Sequence, residues 1–305
     1  MVSVAELKKI ISPWVACDAT HLLYKIHLSE KENVKSSSEK RKGEQQMSNA
    51  AEQQYAEQGI IYLDPKMRIK NYWTQRSHSF AELRVRELNS VMAERWLREI
   101  AKHIPAGGQL RILDIGTGTG FFAFLLGSLG HRVTGIDLTP SMIQEAKEIG
   151  QTLQSSAQFR VMDAEKLLFA DESFDMVISR NLTWTLPHPQ EAYQEWHRVL
   201  KPGGLLLNFD GNYGKADFTE KGEKLPENHA HKQIAGDLMQ ECEAIKDQLE
   251  ISYHVRPAWD ITALGEAGFE QIRLDLGISK RIYLEKDEFY NPTPLFCIAA
   301  TKNQN

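Results

Sequence analysis

Apolar residues follow two patterns along this chain. From about residue 110, short apolar runs alternate with stretches in which apolar positions recur every three or four residues. The longer stretches predict helices from about 119, from Pro140 and from Pro189, and the short runs predict buried strands at 110–115, 132–136, 158–162, 174–179 and 204–209. Regular alternation of strands and helices favours a parallel sheet covered on both faces. The pattern therefore predicts a doubly wound α/β fold.

The region after the fifth predicted strand departs from this alternation. Within 211–257 a helical stripe indicates an amphipathic helix, made of Ile234, Leu238, Cys242, Ile245 and Leu249. We interpret 211–257 as a helical insertion that caps the sheet. A last major helix is predicted at 259–267, and the final strands, 271–276 and 295–301, should form an antiparallel hairpin with a long connection.

The N-terminal part has a different composition. Residues 1–28 carry apolar positions at near-helical spacing, whereas 30–46 is charged and almost free of apolar residues. Such a segment cannot offset the entropy cost of ordering, which is typical of a linker. We therefore divide the chain into a helical extension with a charged linker, 1–46, and a main domain, 47–305. An aromatic segment at 72–80 leads into a helix with apolar positions from Leu83 to Ile100.

Length and composition narrow the class of protein. A chain of 305 residues is long enough to bury a large core. Its formal net charge of -5 argues against a basic surface that binds nucleic acid. The cysteines, Cys17, Cys242 and Cys297, lie far apart without metal-site spacing, which favours a reduced, cytoplasmic setting. No apolar run has the length of a signal peptide core or of a membrane span, so we expect neither.

The most informative stretch is 110–120, LRILDIGTGTG. A buried strand ends near Asp114, glycines follow at every second position, and an apolar helix begins at Phe121. Glycine lets the backbone turn sharply and lets a ligand approach the peptide groups, which indicates a nucleotide-like ligand. A dinucleotide fingerprint would need its third glycine at position 121, where Phe121 stands. The spacing therefore disfavours NAD.

The pattern acid-x-Gly-x-Gly-x-Gly resembles motif I of the class I S-adenosylmethionine (SAM) methyltransferases, of the UbiE-like, small-molecule type. LKPGG at 200–204 and the acid Asp137 after the second predicted strand resemble the same family. The resemblance implies a Rossmann-like methyltransferase fold, with a mostly parallel seven-stranded sheet, N-terminal helices and a helical insertion after strand five.

The resemblance also implies which residues bind SAM. Ligand residues should lie where the strands end: Asp114, Gly116, Thr117, Gly118 and Gly120 after strand one, Asp137 and Leu138 at the ribose, Asp163 and Ala164 at the adenine amino group, and Arg180 and Asn181 after strand four. Similar enzymes fold an aromatic segment over SAM, which marks Tyr72, Trp73, Arg76 and Phe80 as a lid, with Arg76 at the methionine carboxylate. The alternatives are that the aromatics fix a helix to the core and that Asp163 is a turn acid.

The residues that perform the chemistry are less apparent. Methyl transfer from SAM is an in-line displacement in which the donor is already activated, so a general base is optional. The sequence after strand four lacks the (Asp/Asn)-Pro-Pro-aromatic pattern and the nucleophilic cysteine of other methyltransferase classes. His188 is a candidate base, although a structural role is its alternative, and the catalytic residues stay unknown. Candidates for the acceptor site are Trp184, His229, His231 and Tyr253.

These observations predict an enzyme that transfers a methyl group from SAM to a small molecule and releases S-adenosyl-L-homocysteine (SAH). The alternatives are an RNA or protein methyltransferase and a non-catalytic SAM-binding protein, with an NAD oxidoreductase further away. We expect no metal, because His229, His231 and Cys242 lack a further ligand at suitable spacing. The sequence leaves the acceptor and the oligomeric state open.

Overall fold

The computed structural model of this chain describes residues 64–105, 107–216, 225–227 and 229–304. The predicted N-terminal extension and linker, 1–46, lies outside these residues. Within the described part, the side chain of His231 is also outside the description.

Seven strands form one sheet in the order β3-β2-β1-β4-β5-β7-β6. They are Arg111–Ile115 (β1), Arg132–Asp137 (β2), Gln158–Val161 (β3), Phe174–Arg180 (β4), Leu200–Gly211 (β5), Phe269–Asp275 (β6) and Leu295–Lys302 (β7). The first five strands run parallel, whereas β7 lies between β5 and β6 and is antiparallel to both. The predicted mostly parallel seven-stranded sheet is therefore confirmed.

Helices cover both faces of the sheet. The α-helices of the described ranges are Pro65–Leu88 (α1), Val91–Ala101 (α2), Phe121–Ser128 (α3), Pro140–Thr152 (α4), Pro189–Val199 (α5), Gly236–Gln248 (α6), Ala258–Glu266 (α7) and Ile278–Ile282 (α8). Within those ranges, a helix that combines the length and the apolar character needed to cross a membrane is not found. The helix predicted inside the insertion is present as α6.

One sequence expectation about the helices is corrected. The aromatic segment 72–80 does not precede a helix but lies inside α1, and the predicted apolar stripe is divided between α1 and α2. The break occurs because Ser90 acts as the N-cap of α2, where its Oγ accepts the N–H of Met92 at 3.1 Å. Asn89 donates its side-chain N–H to the carbonyl of Val85 at 2.8 Å, which closes the end of α1.

Two large buried clusters hold the helices against the sheet. One contains Trp96, Phe122 and Phe209, whose rings meet edge to face at centroid distances of 5.2 to 5.8 Å. The other lies on the opposite face and includes Trp196 of α5 and Leu264 of α7. Both faces of the parallel strands are thus buried, as the near-continuous apolar runs of the sequence require.

A third, smaller cluster joins α1 to the insertion. Its buried members are Ile69, Tyr72, Ile245, Leu249 and Ile251. Beside it, Arg68 of α1 forms an ion pair with Glu241 of α6, with 2.6 Å between Nη2 and Oε2. These contacts place the aromatic part of α1 against the insertion, at the carboxyl edge of the sheet.

Candidate functional site

A cavity of about 250 Å³ lies at the carboxyl ends of β1, β2 and β4, beneath α1. In the strand order, β2 and β4 flank β1 on opposite sides, so the chain connections reverse direction there. In open α/β sheets this is where ligands bind. Most of the residues predicted to bind SAM line this cavity: Tyr72, Trp73, Arg76, Phe80, Asp114, Gly116, Thr117, Gly118, Asp137, Leu138, Asp163, Ala164, Arg180 and Asn181.

The glycine loop forms the floor of the cavity. Gly118 and Gly120 have φ values of 54° and 93°, which favour glycine. A Cβ atom at Gly118 would lie 3.1 Å from Phe80 Cε1, and one at Gly120 would lie 2.7 Å from Phe124 Cε2. Gly118 therefore lets α1 approach the loop closely, whereas Gly120 lets the loop pack on α3. Gly120 serves the fold of the loop and is not part of the cavity lining among the described residues.

Asp114 stabilises the conformation of the glycine loop. Its side chain is buried, and the Thr117 hydroxyl donates to Oδ2 at 2.6 Å. Burial raises the pKa of the Asp114 carboxyl to about 7, although the hydrogen bond from Thr117 opposes this shift. Asp114 thus orients Thr117 within the loop.

Asp137 connects the glycine loop to the segment after β2. Oδ2 accepts the N–H of Gly118 at 3.1 Å, and Oδ1 accepts the N–H of Thr139 at 2.8 Å. Burial raises the pKa of this carboxyl above its usual range, and the two backbone donors oppose the shift. Each carboxylate oxygen can accept a further hydrogen bond, which suits a ribose diol at this position.

Lys66, which the sequence analysis missed, lies against the adenine end of the predicted site. Its Nζ is 2.6 Å from Asp163 Oδ2 and 2.5 Å from Glu165 Oε2. Asp163 Oδ1 also accepts the N–H of Glu165 at 2.9 Å, so the alternative role of Asp163 as a turn acid is realised. Lys66 and Asp163 are 97 positions apart, and no local pattern in the sequence indicates their contact.

Arg76 is a buried cation that faces the cavity. The residue is 8% exposed, and its Nη1 donates to the Tyr72 hydroxyl at 3.3 Å. Its Nε has no hydrogen-bond partner among the described residues. A buried guanidinium without a carboxylate partner is unfavourable, so this geometry fits an anionic ligand group. Tyr72, Trp73 and Phe80 continue the same wall with edge-to-face contacts at 5.1 and 5.5 Å.

Arg180 lines the cavity, but Glu87 already pairs with its guanidinium. Arg180 Nη2 is 2.9 Å from Glu87 Oε1, and the guanidinium carbon lies 4.4 Å from the ring centroid of Trp96. Its neighbour Asn181 adopts a φ of 55°, and Asn181 Oδ1 accepts the hydroxyl of Tyr213 at 2.9 Å. Both residues therefore have structural partners that the sequence did not reveal.

Aromatic residues build the end of the cavity away from Asp163. The rings of Trp184 and Tyr213 lie 4.8 Å apart, and Asn291 Nδ2 donates to the Tyr213 hydroxyl at 2.6 Å. His229 is buried and its Nε2 lies 2.7 Å from the carbonyl oxygen of Tyr290. The structure thus brings two of the acceptor-site candidates, Trp184 and His229, to the cavity.

A buried ionic cluster fixes this end of the cavity. Arg256 Nη2 lies 2.6 Å from Asp260 Oδ1 and 3.1 Å from Asp210 Oδ2. Asp210 also accepts the N–H of Trp184 at 3.1 Å. Because Asp210 lies near the end of β5, this cluster joins the sheet, the segment before α7 and the loop that carries Trp184.

Two candidates are not brought to the site. Tyr253 is 75% exposed, donates its hydroxyl to the carbonyl of Asp247, and is not among the described residues that line the cavity. His188 is also outside that lining, with a side chain that is 60% exposed. Glu165 accepts both the N–H and the Nδ1–H of His188, at 2.7 and 3.0 Å, because His188 begins α5. The structural alternative for His188 is therefore the one observed.

One group of side chains has the spacing of metal ligands. Ligand atoms of Glu165, His188 and Glu191 lie within 4.8 Å of one another. The Lys66 ammonium already pairs with Glu165 at 2.5 Å, so a cation meets a competing positive charge there. We assign no metal to this group.

The fold and the site together define a class of protein. Residues 113–208 match the family model described as a methyltransferase domain. This match confirms the resemblance to the class I SAM-dependent methyltransferases over about a third of the chain. A solved structure of a candidate sarcosine dimethylglycine methyltransferase from Galdieria sulphuraria shares the fold, with a TM-score of 0.50, 16% identity, and coverage of 72% of this chain and 88% of that chain.

Curated relatives are similar to part of the chain. A phosphatidylethanolamine N-methyltransferase of Cereibacter sphaeroides is 35% identical over 131 residues, which cover 41% of this chain and 63% of the relative. An arsenite methyltransferase of Halobacterium salinarum is 39% identical over 104 residues, which cover 32% of this chain and 26% of the relative. A UbiE C-methyltransferase of Desulfotalea psychrophila is 35% identical over 40% of this chain and 52% of its own length. The chain thus spans less than two thirds of these relatives.

Proposed function

We propose that this protein transfers a methyl group from SAM to a small-molecule acceptor and releases SAH. The observation that carries the proposal is the arrangement of three polar groups around one cavity. Asp137 offers acceptors for a ribose diol, Asp163 offers a carboxylate for the adenine amino group, and Arg76 offers a buried cation for the methionine carboxylate. These groups match three of the polar parts of SAM.

In this proposal the protein contributes alignment and exclusion of water. The acceptor attacks the methyl carbon as the bond to sulfur breaks, and the sulfonium becomes the neutral thioether of SAH. Aromatic rings along the cavity, including Trp73, Phe80 and Trp184, suit a sulfonium cation. Because the donor is activated, we assign no general base. Relatives named for arsenite, for phosphatidylethanolamine and for ubiquinone and menaquinone biosynthesis support a small-molecule acceptor.

Calorimetry with SAM, SAH and NAD tests the proposal. We expect SAM and SAH to bind and NAD not to bind. Asp137→Ala should weaken SAH binding roughly 10- to 100-fold, because it removes charge-assisted hydrogen bonds of about 1.5 to 3 kcal/mol. The matched control is Asp171→Ala, since Asp171 pairs with Arg198 on the surface, away from the cavity lining of the described residues. NAD binding without SAM binding would overturn the proposal.

We also propose a cytoplasmic location and a partner set without nucleic acid. The net charge of -5 supports the second point. Cys242 and Cys297 are free thiols, and burial raises the pKa of the Cys242 thiol to about 11, as suits a reduced cysteine.

We further propose that 211–257 acts as a cap over the acceptor, because its helix α6 packs on α1 beside the cavity.

A further inference from the structure

Three charged side chains form a buried cluster in the cavity wall: Arg84 and Glu87 of α1 and Arg180 of β4. Glu87 is fully buried, and the side chains of Arg84 and Arg180 are only 15% and 10% exposed. Arg180 donates to Glu87 Oε1 at 2.9 Å, and Arg84 Nη1 donates to Oε2 of the same carboxylate. The Glu87 carboxylate is therefore the counter-ion of two guanidinium groups.

The neighbouring groups do not neutralise the surplus charge. Tyr283, which hydrogen-bonds Arg180, stays neutral because burial raises the pKa of its phenol. Arg86 and Glu288 form their own pair at 2.9 Å between Nε and Oε2. The Trp96 indole donates to Glu87 Oε1 at 3.2 Å and brings no charge. Within the cluster itself two guanidinium groups share one carboxylate, and Arg84 has no hydrogen-bond acceptor besides Glu87 among the described residues.

Arg84 and Arg76 are separate cationic positions. They lie eight residues apart on α1, which corresponds to about 12 Å along the helix axis. Phe80 lies between them, with its ring 3.1 Å from the position of a Cβ at Gly118 and 4.5 Å from the guanidinium carbon of Arg84. Because Phe80 stands between them on α1, we treat the two guanidinium groups as separate anion positions. If the cofactor carboxylate binds at Arg76, a second anion site is left at Arg84.

We propose that Arg84, held by Glu87 and backed by Arg180, binds an anionic group of the methyl acceptor, a carboxylate or a phosphate. This inference rests on the proposed methyl transfer, for which it names the class of acceptor. Guanidinium groups bind both anions through charge-assisted hydrogen bonds. The facing wall, with Trp184, Tyr213 and Asn291, presents neutral groups to the rest of the acceptor.

The first test titrates the full-length protein with sodium phosphate and with sodium acetate at constant ionic strength, with and without saturating SAH, and follows the melting temperature. We expect at least one of the two anions to raise it. In Arg84→Met the apparent affinity should fall roughly tenfold or more, through loss of a charge-assisted hydrogen bond. Arg84→Lys should keep part of the effect, and the surface control Arg98→Met should match the parent.

The second test identifies the class of acceptor. The protein is incubated with methyl-labelled SAM and a metabolite extract, and the products are separated by anion exchange at neutral pH, where SAM, a cation, is not retained. We expect a labelled product in which mass spectrometry identifies a carboxylate or a phosphate, in the retained or the unretained fraction. Its formation should fall in Arg84→Met and partly recover in Arg84→Lys. SAH affinity, measured by calorimetry, should stay unchanged in both variants and also reports that they fold.

The outcomes separate this inference from the proposed function. Absence of SAH binding in the parent protein would overturn the proposed methyl transfer, while the anion titration without SAH would still decide whether Arg84 binds anions. Labelled product without a carboxylate or phosphate, product formation that is independent of Arg84, or no effect of either anion on the parent would overturn the inference alone. A large loss of SAH affinity in Arg84→Met would assign Arg84 to the cofactor carboxylate and also overturn it.

Discussion

Two acids at neighbouring strand ends differ in what their carboxylates hold. Asp114 accepts from the hydroxyl of Thr117, whereas Asp137 accepts from the backbone of Gly118 and Thr139. Asp114 therefore shapes the glycine loop, and Asp137 keeps lone pairs toward the cavity. The sequence pattern names both acids but does not distinguish these roles, because the distinction depends on the orientation of each carboxylate within the folded loop.

Asp114 should make stability depend on pH. Its pKa is about 7 in the folded protein, because of burial, and about 3.9 in an unfolded chain. Between these values the folded state binds more protons, so stability falls as pH rises, by at most about 1.4 kcal/mol per pH unit. In Asp114→Asn, the side-chain amide at position 114 does not titrate. The stability of the parent minus that of Asp114→Asn should therefore decrease between about pH 4 and pH 7, as measured by urea unfolding.

Asp175 provides a control of opposite sign. Although burial acts in the opposite direction, the hydrogen bond from Lys201 lowers the pKa of its carboxyl in the folded protein. The stability difference between the parent and Asp175→Asn should therefore be present at neutral pH and be lost as pH falls through the folded pKa. Equal pH slopes for the two variants would contradict the assigned environment of Asp114.

The sequence predicts residues whose role is local and misses those whose role depends on distant contacts. The glycine register and the acids after each strand follow from short patterns that any parallel strand-turn-helix unit repeats. Lys66 and Glu87 are different, since they meet Asp163 and Arg180 across 97 and 93 positions. Only the packing of α1 across the sheet brings these partners together.

At the scale of elements, Lys66 anchors the start of α1 to the end of β3. Lys66→Met removes both ion pairs, with Asp163 and Glu165, and should weaken SAH binding roughly fivefold, because a part-buried pair contributes about 1 kcal/mol. Calorimetry measures the change. Lys147→Met on α4 is the control, because Lys147 is exposed and is not near the cavity lining. Equal SAH affinities in Lys66→Met and Lys147→Met would contradict this anchoring role of Lys66.

The ionic cluster at the end of β5 should be important for stability. Arg256→Met leaves Asp210 and Asp260 buried without their cation, which should lower the free energy of unfolding by about 3 to 5 kcal/mol. Arg98→Met is the control, because its pair with Glu94 is exposed and its loss should change stability by less than about 1 kcal/mol. Urea unfolding of both variants checks the contrast, and similar losses would contradict it.

Hydrophobic periodicity predicts helices better than it predicts their ends. The stripe from Leu83 to Ile100 keeps its spacing through the break, so periodicity alone reads it as one helix. Ser90 interrupts it, because its side chain caps a new helix start. The insertion helix was predicted correctly, since its apolar stripe is isolated between segments without helical periodicity.

At the scale of the whole molecule, we expect the first 46 residues to be dispensable for folding. Among the described residues, the strands all lie after residue 110 and the buried clusters begin at Ile69. A chain that begins at Met47 should stay monodisperse, melt near the parent temperature and keep its SAH affinity. Calorimetry and light scattering measure these properties. Aggregation or a much lower melting temperature would place the first 46 residues in the core.

Helix α1 contacts the ends of β3 and β4 and the glycine loop between them. Its 24 residues span about 36 Å, from Lys66 at Asp163, past Phe80 at Gly118, to Glu87 at Arg180. Because α1 carries residues of both proposed sites, we expect the two affinities to be linked. The factor by which SAH changes anion affinity at Arg84 must then equal the factor by which an anion there changes SAH affinity. We therefore expect calorimetry to give the same ratio for SAH affinity with and without saturating phosphate as for phosphate affinity with and without saturating SAH.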